Sequence, residues 1–194
     1  MFFILLVSGD SFVIGTASEL PPTVASHFDA SGQPDANMVH SGYIRFMLCL
    51  VLGLPLAAVG SLTRSYSRST QMKLPNRDYW LAPERLDQTR AFLIAHGAWF
   101  GSLLVALTCC VHWLELLANR TQPAHFSGQM LAVVMIAFLL STLAWIGALM
   151  LTLRVSPANS RRYYGCNTAV SVISGTAAKA FDRGHCCFAP AAIF

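Results

Sequence analysis

The sequence predicts an all-α integral membrane fold, a four-helix transmembrane bundle with a structured extracytoplasmic loop, and three observations predict it. Segments 44–62, 91–111 and 130–153 each approach or exceed the roughly 20 mostly apolar residues a helix needs to cross a ~30 Å hydrocarbon core, and 2–20 nearly does. The 194-residue chain is 55 % hydrophobic and only 11 % charged, about half the charge of a soluble domain, whose surface would not hide so much apolar area. The basic residues are also divided unevenly. Arg64, Arg68, Lys73, Arg77, Arg85 and Arg90 fall in and beside 63–90, and Arg154, Arg161, Arg162, Lys179 and Arg183 in 154–194, against only Arg45 and Arg120 at the opposite flanks. That asymmetry places 63–90 and the tail in the cytoplasm, with 20–42 and 112–129 outside. The expected location is therefore a cytoplasmic (inner) membrane, multi-pass, with both termini cytoplasmic.

The first element is residues 2–20, with Asp10 near its middle, where a carboxylate costs a few kcal/mol at the bilayer centre. A cleaved signal peptide competes with an uncleaved helix here, since Gly15 and Ala17 suit a cleavage site. No Lys or Arg precedes the apolar run, however, and Asp10 interrupts it. The uncleaved helix, with Asp10 turned toward the other helices, is preferred. Segment 20–42 follows, opened by Pro21-Pro22 and rich in the turn formers Asp29, Ser31, Gly32, Pro34, Asp35 and Asn37, so it reads as an ordered outer loop.

Tyr43 marks the outer interface of the second span, in which Gly53 and Pro55 predict a bend. On the inner side, Leu74-Pro75-Asn76-Arg77-Asp78-Tyr79-Trp80 is irregular and puts two aromatic rings at the interface. Pro83 suits a first helical position, with Glu84 and Asp87 in the first turns, and this helix should run on into the third span. Gly97 and Gly101 there form a Gly-xxx-Gly pair that admits a close neighbour. The short connection 118–128 makes spans three and four an antiparallel hairpin. These elements make 1–155 the transmembrane domain. The 156–194 tail is poor in large apolar residues, lacks a helical period and is expected to be loosely ordered.

The net charge of +4 does not indicate nucleic acid, because the basic residues are juxtamembrane flanks and not one stripe with stacking aromatics. The six cysteines fall in spans or in the tail, none in an outer loop, so reduced thiols are expected.

Two strings carry a resemblance. Leu20-Pro21-Pro22-Thr23-Val24-Ala25-Ser26-His27-Phe28-Asp29-Ala30-Ser31-Gly32-Gln33-Pro34-Asp35 resembles a bacterial membrane-protein domain of unknown function, also found at the N-terminus of the sporulation-delay toxin immunity proteins. That pattern runs Leu-Pro, a spacer, Val or Ile, His with an aromatic, a turn ending in Gly, then Pro-Asp. Pro75-Asn76-Arg77-Asp78-Tyr79-Trp80-Leu81-Ala82-Pro83-Glu84-Arg85 looks like the cytoplasmic loop of its stand-alone members. The chain departs from the pattern at Ala36, where Gly is usual, and its tail has no counterpart. The resemblance implies a non-enzymatic membrane protein of toxin immunity or envelope signalling. Its partners would be the lipid bilayer and an extracytoplasmic peptide or a membrane protein. Pro22, His27, Phe28, Gly32, Pro34 and Asp35 would recognise the ligand, and Pro75, Asn76, Tyr79, Trp80, Pro83, Glu84 and Arg85 would form the inner motif.

Other side chains weigh differently. His27, Asp29, Asp35 and His40 offer metal-type ligands within 14 residues but without regular metal spacing, so a loop-packing role is preferred and neither metal nor cofactor is expected. His112 and Glu115 share a helix face; a proton relay would use such a pair, but interfacial anchoring beside Trp113 is preferred. His96 lies about a turn inside the third span and is expected to bond a neighbouring helix's backbone. Cys166, His185, Cys186 and Cys187 lack ligand spacing. No nucleophile motif, phosphate loop or His-Glu-x-x-His string is present, so no catalytic residue is assigned and an enzyme is not expected. The alternative function is a small transporter or accessory subunit of a membrane complex, with Asp10, His96, His112 and Glu115 as intramembrane polar groups.

Overall fold

The computed structural model describes residues 1–68 and 74–154. Lys73 and the whole of 155–194, with the loosely ordered tail expected there and Cys166, His185, Cys186 and Cys187, lie outside the described residues. In chain order the elements are α1 (Phe2–Thr16), a single 3₁₀ turn (Ala17–Glu19), β1 (Thr23–Phe28), β2 (Pro34–Val39), α2 (His40–Arg68), α3 (Arg77–Trp80), α4 (Leu86–Asn119) and α5 (Gly128–Arg154). Four of the helices are long and apolar enough to cross a membrane.

Helix α4 is the central element and packs against α1, α2 and α5. Contacts along it give the directions. Phe2 and Val59 meet at Gly101, Val51 and Val105 at Gly9, and Tyr43 and Thr16 at His112. Helix α1 is therefore parallel to α4, and α2 is antiparallel to it. Leu93 against Leu149 and Leu153, with Phe100 stacked on Trp145, makes α5 antiparallel to α4 as well. One end of the bundle thus gathers the end of α1, the hairpin, the start of α2 and the end of α4; the other gathers α3, the start of α4 and the end of α5.

The glycine pair works by close approach. A Cβ at Gly101 would stand 2.6 Å from Val59 Cγ2 and 2.7 Å from a Phe2 ring carbon, whereas one at Gly97 would meet Leu62 at an ordinary 3.5 Å. The main core, containing Leu6, Val13, Met47, Val51, Val105 and Leu116, lies among α1, α2 and α4. Helix α5 turns Val133, Ile136, Leu139, Leu140 and Leu143 outward, the pattern of a helix facing hydrocarbon.

Three local differences from the sequence reading have physical causes. The 20–42 segment, expected as an ordered loop without strands, folds around a two-stranded antiparallel hairpin. β-Branched Thr23 and Val24 open β1, and the Asp29-to-Gly32 turn reverses the chain. Helix α1 stops at Thr16, short of residue 20, and hands over to the 3₁₀ turn. Helix α4 starts at Leu86 and not at Pro83. Pro83 and Glu84 lie within a turn closed by Arg85 N–H to Ala82 O at 2.9 Å, and the Arg85 guanidinium sits 4.1 Å over the Tyr79 ring, which holds this residue outside the helix.

Candidate functional site

The hairpin is fastened to the bundle at several points. The Asn119 side chain accepts the Ala25 N–H at 2.8 Å and donates to Ala25 O at 3.0 Å, so one amide replaces the missing neighbour strand of β1. Phe28 and Phe126 pack with ring centroids 5.1 Å apart, and Phe126 N–H donates to Gly32 O at 2.9 Å. Glu19 pairs with Arg120, and His40 Nε2 donates to Ala17 O at 2.8 Å. Gly32 is required twice over. Its φ of +83° is a region that side chains disfavour, and a Cβ there would stand 2.4 Å from Phe126 O.

Asp29 builds the turn. Its Oδ1 accepts from Ser31 Oγ at 2.7 Å, Ser31 N–H at 2.8 Å and Gln33 N–H at 2.9 Å. These bonds, led by the Ser31 hydroxyl, hold its carboxyl below its ordinary pKa.

His27 and Asp35 remain in the open. Strand register slips on both sides of His27, which pairs with Ala36 while Phe28 pairs with Pro34. The irregularity brings Asp35 Oδ1 to 2.5 Å from His27 Nδ1, with the two side chains 47 % and 71 % exposed. Of the outer motif, then, Phe28, Gly32 and Asp29 hold the hairpin together and onto the bundle. Pro22, His27, Pro34 and Asp35 form its exposed face. No three His, Cys, Asp or Glu side chains among the described residues gather as metal ligands.

Beneath the hairpin lies a polar centre that the sequence reading placed differently. His112 is wholly buried among protein side chains and not solvated, because Tyr43 and Thr16 close over it from α2 and α1. Thr16 Oγ1 uses its one hydrogen on Phe12 O at 2.8 Å, so only its lone pairs face His112 Nε2 at 2.9 Å. Nε2 must therefore carry the ring proton, and Nδ1 accepts from the Tyr43 hydroxyl at 3.0 Å. The donors run in one direction, Tyr43 to His112 to Thr16 to Phe12 O. Phe12 packs edge-on against the imidazole at 5.6 Å, while Trp113 beside it is 42 % exposed.

Glu115 comes near enough to Tyr43 and His27 to act on both electrostatically. Its Oε2, like Asp10 Oδ1, is buried with no hydrogen-bond partner among the described residues. His96 stays apart. Its Nδ1 lies 3.0 Å from Phe92 O of its own helix, not a neighbour's, and its 16 residues of separation from His112 amount to about 24 Å of helix. His96 is therefore not brought together with the His112 centre.

The inner motif occupies the other end. Asn76, at φ 52°, donates to Arg154 O at 2.8 Å, and Trp80 Nε1 donates to Leu153 O at 2.9 Å. Both side chains satisfy carbonyls that the end of α5 leaves without helical partners. Trp80 stacks on Phe92 at 5.9 Å and its carbonyl accepts from Thr89 at 2.7 Å, so the motif joins α4 to α5. Pro75 leads into this turn, while Pro83 and Glu84 stay exposed.

Fold and site together define, among the described residues, four helices of membrane-crossing length with a β-hairpin clamped onto the end of the central one. No known protein family, curated protein or solved structure matches the chain.

Proposed function

We propose that this chain is an integral protein of a bacterial cytoplasmic membrane, with both termini inside, whose hairpin is an extracytoplasmic recognition element of the toxin-immunity and envelope-signalling kind. It binds a peptide or a membrane protein partner and performs no chemistry on it. The observation that carries this reading is the division of labour in the hairpin: Asn119 grips Ala25 while His27 and Asp35 stand exposed as a paired imidazole and carboxylate. A rigidly held polar pair across two short strands is a recognition surface that needs little ordering when it binds.

Orientation is supported by charge. Arg64, Arg77, Arg85, Arg90 and Arg154 belong to the α3 end of the bundle, against Arg45 and Arg120 at the hairpin end. β2 runs directly into α2, so a ligand that moves the hairpin acts on a helix reaching the α3 end, where the inner motif reports. Transport is disfavoured by the separation of His96 from the His112 centre.

The test is tolerance in cells. A strain lacking the gene is challenged with membrane-active peptide toxins, then complemented with the intact protein, His27→Ala or Tyr79→Ala at matched membrane levels. Restored tolerance with the intact protein that is lost with His27→Ala supports recognition. Full tolerance with both variants contradicts it.

A further inference from the structure

Between α1, α4 and α5 runs an apolar groove of about 480 Å³, whose walls include Leu5, Phe12, Val105, Ala106, Trp113 and Val134. Two hydroxyls on its lining, Ser8 and Ser102, already donate to Ile4 O and Ala98 O of their own helices, and the Cys109 and Cys110 thiols are only weak hydrogen-bonding groups, so the lining is chiefly apolar. Along α4 the lining extends from Ser102 to Leu114, about 18 Å of helix. One leaflet of a ~30 Å core is roughly that deep. At the hairpin end, the Arg120 guanidinium lies 5.6 Å from the centre of the Trp113 ring. Its side chain is 45 % exposed and it pairs with Glu19, which leaves other N–H donors of the guanidinium facing outward.

We infer that this groove holds one acyl chain of an anionic phospholipid, whose headgroup phosphate meets Arg120 beside Trp113. The shape supplies a leaflet-length apolar slot, and the Arg120 cation beside its mouth supplies the charge preference. Glu19 is the acidic group facing that cation and competes with the phosphate for it. The assignment rests on the membrane-spanning reading of the four helices. It adds a lipid class and a site to it.

Native mass spectrometry of the whole chain in mild detergent tests this, with palmitoyl-oleoyl phosphatidylglycerol and the phosphatidylcholine of identical chains as probes. The intact protein should retain the anionic lipid about fivefold better, the effect of one basic side chain near an anionic headgroup. Arg120→Gln should erase the preference and Glu19→Gln enlarge it. Ala106→Phe, which touches neither the hairpin nor the ion pair, fills the groove and should reduce retention of both lipids. Equal retention of the two lipids by the intact protein, undiminished retention by Ala106→Phe, or a dimer that excludes lipid overturns the site. A chain that stays in solution without detergent overturns the membrane reading itself, a separate outcome.

Discussion

Asn119 and Ala25 are joined by two hydrogen bonds, from Ala25 N–H to Asn119 Oδ1 at 2.8 Å and from Asn119 Nδ2 to Ala25 O at 3.0 Å. They are 94 residues apart in the chain, and the pair ties the edge of the hairpin to the last turn of the central helix. The same Nδ2 also donates to Glu115 O at 2.9 Å, which fixes the amide's orientation.

Asn119→Ala removes both bonds and leaves a buried backbone N–H and C=O unsatisfied, at a cost of about 2–4 kcal/mol to hairpin docking. Amide exchange at Ala25 should then accelerate strongly while exchange in the middle of α4 stays slow. Equal protection in the variant would contradict this and show that the other fasteners, the Phe28–Phe126 packing and the Phe126 N–H to Gly32 O bond among them, hold the hairpin without Asn119.

The hydroxyl geometry around His112 places a proton on Nε2, and in the neutral ring Nδ1 then accepts from the Tyr43 hydroxyl. Nitrogen-15 spectra of labelled protein should show this tautomer, and Tyr43→Phe should shift Nδ1 while leaving Nε2 bonded to Thr16. His112→Ala should cost about 2–4 kcal/mol, since it opens a cavity in the core and strands the Tyr43 hydroxyl. A spectrum with the proton on Nδ1 contradicts the direction of the donor chain.

Gly101 and Gly97 should behave differently although they lie on one face. Gly101→Ala forces Val59 and Phe2 apart and should destabilise the bundle by about 1–3 kcal/mol, the usual cost of overpacking. Gly97→Ala meets Leu62 at van der Waals distance and should be neutral or slightly stabilising. Thermal unfolding in detergent compares them.

Asp29 sets the acid response of the turn. Its folded pKa lies below its unfolded value, led by the bond from the Ser31 hydroxyl, so its stabilising contribution is present above the ordinary carboxylate pKa. That contribution is lost only as pH falls through the lower folded value. Amide exchange at Gln33 should therefore stay slow at neutral and mildly acidic pH and rise under stronger acid, whereas in Ser31→Ala the rise should begin at higher pH. A wild-type turn that opens above the ordinary carboxylate range would contradict this.

The helices were legible in the sequence because crossing length and apolar content are local properties, and the Gly97–Gly101 spacing pointed to a face where another helix comes close. The hairpin was less so. Its turn formers showed that the chain reverses, but β1 and β2 alternate poorly, since the consecutive residues Val24 and Ala25, on opposite faces of β1, are both buried and the register slips near His27. His112 looked interfacial because its partners, Tyr43 and Thr16, lie 69 and 96 residues away. Asn119 looked like a loop residue for the same reason, and a polar amide at the end of an apolar helix was its only signal. In the inner motif, Asn76 and Trp80 read as surface features until α5 was seen to end against them.

The central claim is that the exposed His27–Asp35 face meets a partner outside the membrane. Intact cells carrying Ser31→Cys, at an exposed turn position close to that face, would be treated with a membrane-impermeant thiol-reactive photocrosslinker, with and without a second His27→Ala change. The account predicts a discrete peptide or protein adduct that disappears with His27→Ala. No adduct from a labelled, stably inserted protein, or one indifferent to His27, would contradict it.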